Sequence, residues 1–134
     1  TSEGTDTVYG FVQGFNGDIL EIAGLDVSSL EAVVGVTNVP SAEVFNIIMR
    51  LVGEGLETAA GLLAAFAENG KFEEIGFSDK GASLVITAES QDTGEDQCLF
   101  VVDQQNGILD IEQLAILRGN YLDIDSWHIA NFVV

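Results

Sequence analysis

The sequence predicts an α+β fold that is mostly β: an antiparallel β-rich domain, built as a sandwich or a β-roll cap, with one helical segment in the middle. Apolar runs rich in β-branched residues, separated by Gly, Asp and Asn, occupy both ends of the chain. Between them, apolar residues recur every three to four positions, which is the period of a helix. Because 47% of the 134 residues are hydrophobic, we expect one domain, residues 1–134, with its own core.

The N-terminal part predicts a hairpin and one further short strand. The run TVYGFV, residues 7–12, precedes a turn through Gly14 and Gly17 and a second run, DILEI, residues 18–22. Glycine supplies the backbone angles that such a turn needs. A phosphate-binding loop is excluded because the lysine of a P-loop is absent and no helix follows. The β-branched residues 33–36 predict the next strand.

The middle of the chain predicts a helix that kinks or breaks near its centre. Ser41 is the predicted N-cap, and Asn69 and Gly70 mark the end because both tolerate the left-handed conformation. Gly53 and Gly55 are the predicted point of the break. The apolar residues predicted to share one buried face of the helix are Phe45, Met49, Val52, Leu56, Ala59, Leu63 and Phe66.

The C-terminal half predicts four more strands. They cover residues 83–90, 98–103, 114–119 and 127–134, and each is a short apolar run. The intervening segments QDTGEDQ and DQQNG carry the Asp, Asn and Gly that are typical of turns. The predicted order is therefore strands, a helical segment, and strands again.

The charge of the chain limits the classes of partner. Its 22 acidic and 4 basic residues give a formal net charge of −18 at pH 7, which repels nucleic-acid phosphates and anionic membrane surfaces. The most apolar run, residues 58–67, is too short to span a bilayer. We therefore expect neither nucleic-acid binding nor membrane insertion.

The reactive side chains form no catalytic pattern. The single cysteine, Cys98, and the single histidine, His128, cannot build a disulfide within the chain or a zinc site of the usual type. His128 lies close in sequence to Ser126 and Asp125, but neighbours on one strand point apart and cannot meet as a catalytic triad does. Cys98 precedes an apolar run and is predicted to be buried. We expect no enzymatic activity and assign no catalytic residue.

Calcium is the metal that the side chains of this chain suit, because it prefers carboxylate and carbonyl oxygens. The segment DQQNGILDIE, residues 103–112, superficially resembles an EF-hand loop. Its acids do not occupy the first, third, fifth and twelfth places, and its glycine falls one position early. A weaker, non-EF-hand site is therefore the form that we expect calcium binding to take. The residues retained as calcium ligands are Asp6, Asp18, Asp103, Asn106 and Asp110.

Two stretches at opposite ends of the chain carry a family resemblance. Residues 3–26 place a Gly-x-Asp-x-Val-x-x-Phe pattern before a glycine turn and an Asp-x-Leu-x-Ile strand. Residues 98–134 contain a strand, an Asp/Asn/Gly turn, an apolar strand and an ending of one polar and three apolar residues, Asn131, Phe132, Val133 and Val134. Together they resemble the C-terminal region of RTX-type proteins, which bacteria export through type I (ABC-transporter) secretion.

The resemblance implies a secreted or surface-exposed, non-enzymatic C-terminal module that caps upstream β structure and carries its export signal at Asn131, Phe132, Val133 and Val134. Its implied partners are the type I secretion machinery and the upstream part of the parent chain; the start at Thr1 without methionine also predicts a fragment. No complete GGxGxD repeat occurs, so repeat-type calcium binding is not implied. The alternative is a self-associating module of a bacterial surface layer or adhesin, which would use the helical stripe or a strand edge.

Overall fold

One mixed sheet forms the centre of the fold. The computed structural model describes residues 6–9, 33–35, 44–45, 47–89, 96–118, 127 and 131. The described strands lie side by side in the order β1-β6-β5-β4-β3-β2, and one helix connects β3 to β4. The elements are β1 (Asp6–Tyr9), β2 (Val33–Gly35), β3 (Ile48–Val52), α1 (Ala59–Phe66), β4 (Ser83–Ala88), β5 (Gln97–Gln105) and β6 (Ile108–Arg118). The predicted α+β class, mostly β, is confirmed.

The direction of the strands differs in part from the prediction. The β4–β5 and β5–β6 pairs are antiparallel as expected, but β1–β6, β2–β3 and β3–β4 are parallel. The reason is clearest at β3 and β4, because α1 lies between them in the chain. A helical crossover returns the chain to the end of the sheet from which it started, so the two strands that it joins run the same way.

The first half of the predicted helix is a strand, and that prediction was wrong. Residues 48–52 form β3, which pairs with β2 on one side and β4 on the other. Ile48, Met49 and Leu51 are all fully buried. A strand covered on both faces is mostly apolar, as β3 is except for Arg50, and closely spaced apolar residues include some at helical spacing by chance. The predicted break does occur after Val52, but it separates a strand from a helix.

The helix itself is short and begins later than predicted. Thr58 is the N-cap, and its hydroxyl accepts a hydrogen bond from the backbone N–H of Gly61 at 3.0 Å. The helix ends at Phe66, and the left-handed residue Asn69 (φ 67°) lies in the turns that follow it. The predicted cap at Ser41 lies outside the described residues.

The buried face of α1 includes Phe66 of the predicted stripe but not Leu63. Leu62, Ala65 and Phe66 are buried, whereas Leu63 is 45% exposed. The predicted stripe assumes one long helix, in which the helical register continues through the residues that form β3 and the turn after it. Because that continuous helix does not exist, the register at its C-terminal end is set by contact with the sheet instead.

The C-terminal strands agree with the prediction in place but differ from it in length. β4 ends at Ala88, before the predicted residue 90, whereas β5 extends beyond the predicted run 98–103 at both ends. β6 begins at Ile108, six residues before the predicted residue 114. A two-residue turn, Asn106 and Gly107, joins β5 to β6, and both residues have positive φ, 53° and 79°. This is the geometry that matches the twist of a tight hairpin. The predicted short strand at 33–36 is confirmed as β2, and β1 covers part of the predicted run 7–12. The predicted turn and strand at 13–22 lie outside the described residues, as does most of the predicted last strand.

Both faces are buried at the centre of the sheet, in β4 and the first half of β5. On the helix side, Met49, Val85, Phe100 and Val102 pack with the buried residues of α1 in one core. Alternate positions on the same strands face the other way and are also buried, among them Ile48, Leu84, Ile86, Leu99 and Leu117. Trp127 is buried on that second side, where its indole N–H donates to the Gln97 side chain at 2.6 Å.

The two adjacent leucines of α1 provide a test of the observed register. We expect Leu62→Ala to lower the free energy of unfolding by about 2–5 kcal/mol, because it leaves a cavity between helix and sheet. Leu63→Ala is its matched control and should cost less than about 1 kcal/mol, because the side chain is nearly half exposed. Urea unfolding of both variants measures the difference, and equal losses would contradict the helix register.

Candidate functional site

A pocket of about 330 Å³ opens at one end of the sheet. It lies where the carboxyl ends of β4 and β6 meet the amino end of β5 and the turn before α1. The edge of a sheet beyond the carboxyl ends of its strands is a common place for ligand sites in proteins with helical crossovers. We call it the β4–β6 pocket, and its lining residues are Glu57, Thr87, Ala88, Glu89, Asp96, Cys98, Ile116 and Arg118.

Side chains from β4, β5 and β6 contact the turn before α1 and keep it against the pocket. The Thr87 hydroxyl donates to the Leu56 carbonyl at 2.9 Å, and the Gln113 amide donates to the Glu57 carbonyl at 3.0 Å. The Cys98 thiol also points to the Glu57 carbonyl, with the sulfur 3.7 Å from the oxygen. These bonds supply donors to carbonyls that precede the helix and therefore have no partner inside it.

A glycine allows the helix to approach this turn closely. A Cβ added at Gly61 would lie 1.9 Å from the Gly55 carbonyl oxygen, which no side chain can do. Gly55 itself has φ of +78°, a conformation that favours glycine. The two glycines together place the first turn of α1 directly over the end of β3.

The rim of the pocket is acidic. Glu57, Glu89 and Asp96 are exposed carboxylates, and Arg118 is the one cation among the described lining residues. Arg118 lies 3.4 Å from Asp96, but both side chains are about half exposed, so this ion pair contributes little to stability. The rim therefore repels anionic ligands such as phosphates and favours cations.

Cys98 contributes a buried thiol to the pocket wall, and the environment of this thiol keeps it protonated. Burial raises the pKa of the Cys98 thiol above its ordinary value of 9.0, and the Glu57 carboxylate raises it further. Hydrogen bonds with Gln113 and Thr87 act in the opposite direction without reversing the shift. A protonated thiol is a poor nucleophile. The prediction that Cys98 is a buried, small apolar side chain is confirmed by its 5% exposure.

The structure brings some of the expected calcium ligands together and separates others. Asp103 and Asp110 lie directly opposite each other on β5 and β6, and Asn106 forms the turn between these strands. Asp6 pairs with Ala115, five residues along β6 from Asp110 (115 − 110), which corresponds to about 16 Å. Asp18 lies outside the described residues. Within the described part of the chain, no group of three or more His, Cys, Asp or Glu side chains is placed to hold a metal ion.

Asp79 organises the tip of the β5–β6 hairpin, and the sequence did not point to it. One carboxylate oxygen accepts from the Gln104 amide at 3.1 Å, and the other accepts from the backbone N–H of Asn106 at 3.2 Å. No spacing rule could have found this contact, because the partners are 25 and 27 residues away. The same is true of the acidic rim of the β4–β6 pocket, whose residues come from separate strands.

Comparison of the chain with protein-family models, with curated proteins and with solved structures finds no match. The resemblance to RTX-type proteins therefore rests on the sequence motifs alone. The described part of the chain contains no helix that is both long and apolar enough to cross a membrane.

The environment of Cys98 predicts its reactivity and a dependence of stability on pH. We expect DTNB to react slowly with the native chain at pH 8 and rapidly in urea, because folding buries the thiol. The raised pKa means that the folded state favours the protonated thiol. Its contribution to stability is complete below the unfolded-state pKa and is lost as pH rises through the folded-state pKa, above about pH 9.

The control for this prediction is Cys98→Ala, which has no proton to lose at this position. Urea unfolding between neutral pH and pH 10 should show a steeper loss of stability in the native sequence than in the variant. Parallel pH profiles, or equal DTNB rates with and without urea, would contradict the buried, protonated thiol.

Calcium should raise the melting temperature by a few degrees over that in chelator at matched ionic strength, because divalent cations reduce the repulsion among carboxylates. Since the hairpin holds only Asp103, Asn106 and Asp110 of the expected ligands and no described group there is placed to hold a metal ion, we expect most of this rise to persist in Asp103→Asn/Asp110→Asn. Thermal unfolding followed by circular dichroism measures both. If the double variant loses the entire rise in melting temperature, the calcium effect lies at the hairpin. If neither protein shows a rise, calcium does not stabilise this fold.

Proposed function

We propose that this chain is a non-enzymatic C-terminal module of an RTX-like bacterial protein that leaves the cell by type I secretion. In this proposal the export signal is Asn131, Phe132, Val133 and Val134, and the folded module caps β structure upstream of it. It acts outside the cell or on the cell surface. Its partners are the secretion machinery during export and the upstream part of the parent chain afterwards.

The burial of Trp127 and Asn131, the two described residues nearest the C-terminus, is the observation that most favours this proposal. Asn131 is fully buried, and Trp127 is held on the second face of the sheet by its 2.6 Å hydrogen bond to Gln97. Gln97 is itself buried, so this contact lies within the folded interior. A signal that includes Asn131 is covered once the chain has folded. A transporter would therefore have to read it from the unfolded chain, as type I export requires.

The topology also favours folding after export. β1, near the N-terminus, pairs with β6, whose residues lie more than a hundred positions later. Such long-range pairing is slow to form, because the chain between the partners must be closed into a loop first. The net charge of −18 adds self-repulsion, and a single cysteine means that no disulfide within the chain has to form outside the cell.

The capping part of the proposal rests on the position of β1. It lies at the edge of the described sheet, and Tyr9 on this strand is largely exposed. A strand edge presents backbone N–H and C=O groups that another strand can extend. Upstream β structure that enters beside β1 would meet this edge and the exposed Tyr9 ring.

The non-enzymatic part of the proposal is supported by the chemistry of the β4–β6 pocket. Its buried thiol is kept protonated and is therefore a poor nucleophile. Its carboxylates, Glu57, Glu89 and Asp96, are exposed on the rim and lack the burial that prepares a carboxylate for general acid–base catalysis.

Self-association in a surface layer or adhesin is the second candidate. The structure reduces the number of surfaces that could mediate it. Met49, Leu56 and Phe66 of the predicted stripe are buried in the core and are not available to a partner. The surfaces that this candidate retains among the described residues are the sheet edge at β1 and the exposed Leu63. Size-exclusion chromatography distinguishes the two: a calcium-independent monomer favours the terminal module, and calcium-dependent polymers favour assembly.

The export signal can be tested with the chain fused to a reporter in a strain that has a compatible type I exporter. We expect the intact fusion outside the cell, a deletion of residues 131–134 inside although still synthesised, and Phe132→Leu between the two. Leu62→Ala with an intact ending is the control for stability, because it weakens the core and leaves residues 131–134 unchanged. It should be exported as well as the intact fusion.

Two results would contradict the export signal. Equal secretion of all four fusions would leave residues 131–134 as an ordinary part of the fold. Retention of Leu62→Ala as complete as that of the deletion would show that stability determines export, whatever the ending of the chain.

A further inference from the structure

The solvent side of α1 is apolar, which is unusual for a helix that covers a sheet. All eight residues of the helix, AAGLLAAF, lack a charged or polar side chain. A helix packed on one face normally carries polar residues on the other. Here Ala60, Leu63, Ala64 and Ala67 are exposed, and Leu63 alone is 45% exposed. We call these four residues the α1 outer face.

Exposed carboxylates lie at both ends of the α1 outer face. Glu54 and Glu57 precede the N-cap Thr58, and Glu68 follows the C-cap Ala67. The nearby cation, Lys71, has its ammonium group bonded to the Val52 carbonyl at 2.9 Å. The helix therefore presents an apolar surface between acidic ends.

The size and charge of this surface decide which partner fits it. An eight-residue helix is about 12 Å long, so the outer face is far smaller than the roughly 800 Å² per partner of a stable protein interface. A second copy would also bring its own acidic ends and a net charge of −18 to the contact. A membrane surface with anionic lipids is repelled for the same reason. A short segment with an apolar stripe and basic flanks matches both the area and the charge.

We propose that the α1 outer face is a docking site for a basic amphipathic helical segment of another protein. Its apolar stripe packs on Leu63 and the three alanines, whose small side chains allow the two helix backbones to approach closely. Its Lys or Arg side chains lie over Glu57 and Glu68. The interaction buries apolar area for affinity and uses the charges at the ends to select the partner. It does not depend on the proposed role in export.

The probe for this site is a fluorescently labelled synthetic peptide of about 18 residues, made of Leu and Lys in an amphipathic helical pattern, a length at which a helix can form in water. Fluorescence anisotropy with the full chain measures its affinity. Two control peptides are needed: one with every Lys replaced by Glu, and one with the same composition in scrambled order. We expect binding of the first peptide only, and weaker binding as salt is raised.

Variants of the chain test whether the peptide binds at α1. Leu63→Gln should weaken binding by about fivefold or more, because a half-buried leucine contact is lost. Its matched control is Ile108→Gln at the hairpin tip, an apolar residue that is 72% exposed and does not belong to the α1 outer face. It should leave the affinity unchanged. Likewise, Glu68→Gln should weaken binding, whereas Asp110→Asn, which removes the same charge from β6, should not.

Several outcomes would overturn the proposal. Equal effects of Leu63→Gln and Ile108→Gln would show attraction to an acidic chain without a site, as would equal binding of the scrambled peptide. Binding of the Glu peptide as tight as that of the Lys peptide would remove the basic partner. A dimer of the native chain that Leu63→Gln dissociates would make the occupant a second copy, and α1-dependent flotation with zwitterionic vesicles would make it a lipid surface.

Discussion

The structure depends most on the burial of β4 on both faces. All six of its residues are buried, and it pairs with β3 on one side and β5 on the other. A strand in that position can only exist between two covering layers. On one face the cover is α1, and on the other it includes Trp127 from the C-terminal segment. The packing of the crossover helix on one face and the burial of Trp127 on the other therefore both follow from the need to cover this central part of the sheet.

The helix side shows how a sheet can position a segment that has little structure of its own. α1 is too short to be stable by itself in water. It is held by its buried leucine and phenylalanine, by the Thr58 cap, and by the bonds from Thr87 and Gln113 to the turn before it. The same three strands therefore determine the place of the helix and the shape of the β4–β6 pocket. Any ligand that entered this pocket would contact the segment that anchors α1.

The acidity of the chain acts at two different distances. Over the whole molecule it opposes compaction and excludes anionic partners. At short range, described carboxylates border two surfaces, the rim of the pocket and the ends of α1, and Glu57 belongs to both. Neither surface offers the clustered ligands of a metal site among the described residues. Their common preference is for a cationic group, in the pocket as a small ligand and on α1 as part of a partner chain.

The sequence by itself determined the class of the fold, the strands β2, β4 and β5, the break after Val52 and the burial of Cys98. These depend on local composition, because β-branched runs and glycine turns act over a few residues. It could not determine that residues 48–52 are a strand, since a strand buried on both faces and a buried helix have the same apolar composition. Only the tertiary structure decided the parallel strand pairs and the exposure of Leu63. It also decided the hydrogen bonds of Asp79 to the hairpin and the meeting of Glu57, Asp96 and Cys98 in one pocket. Each of them brings together residues far apart in the chain, and no local preference records which strand becomes the neighbour of which.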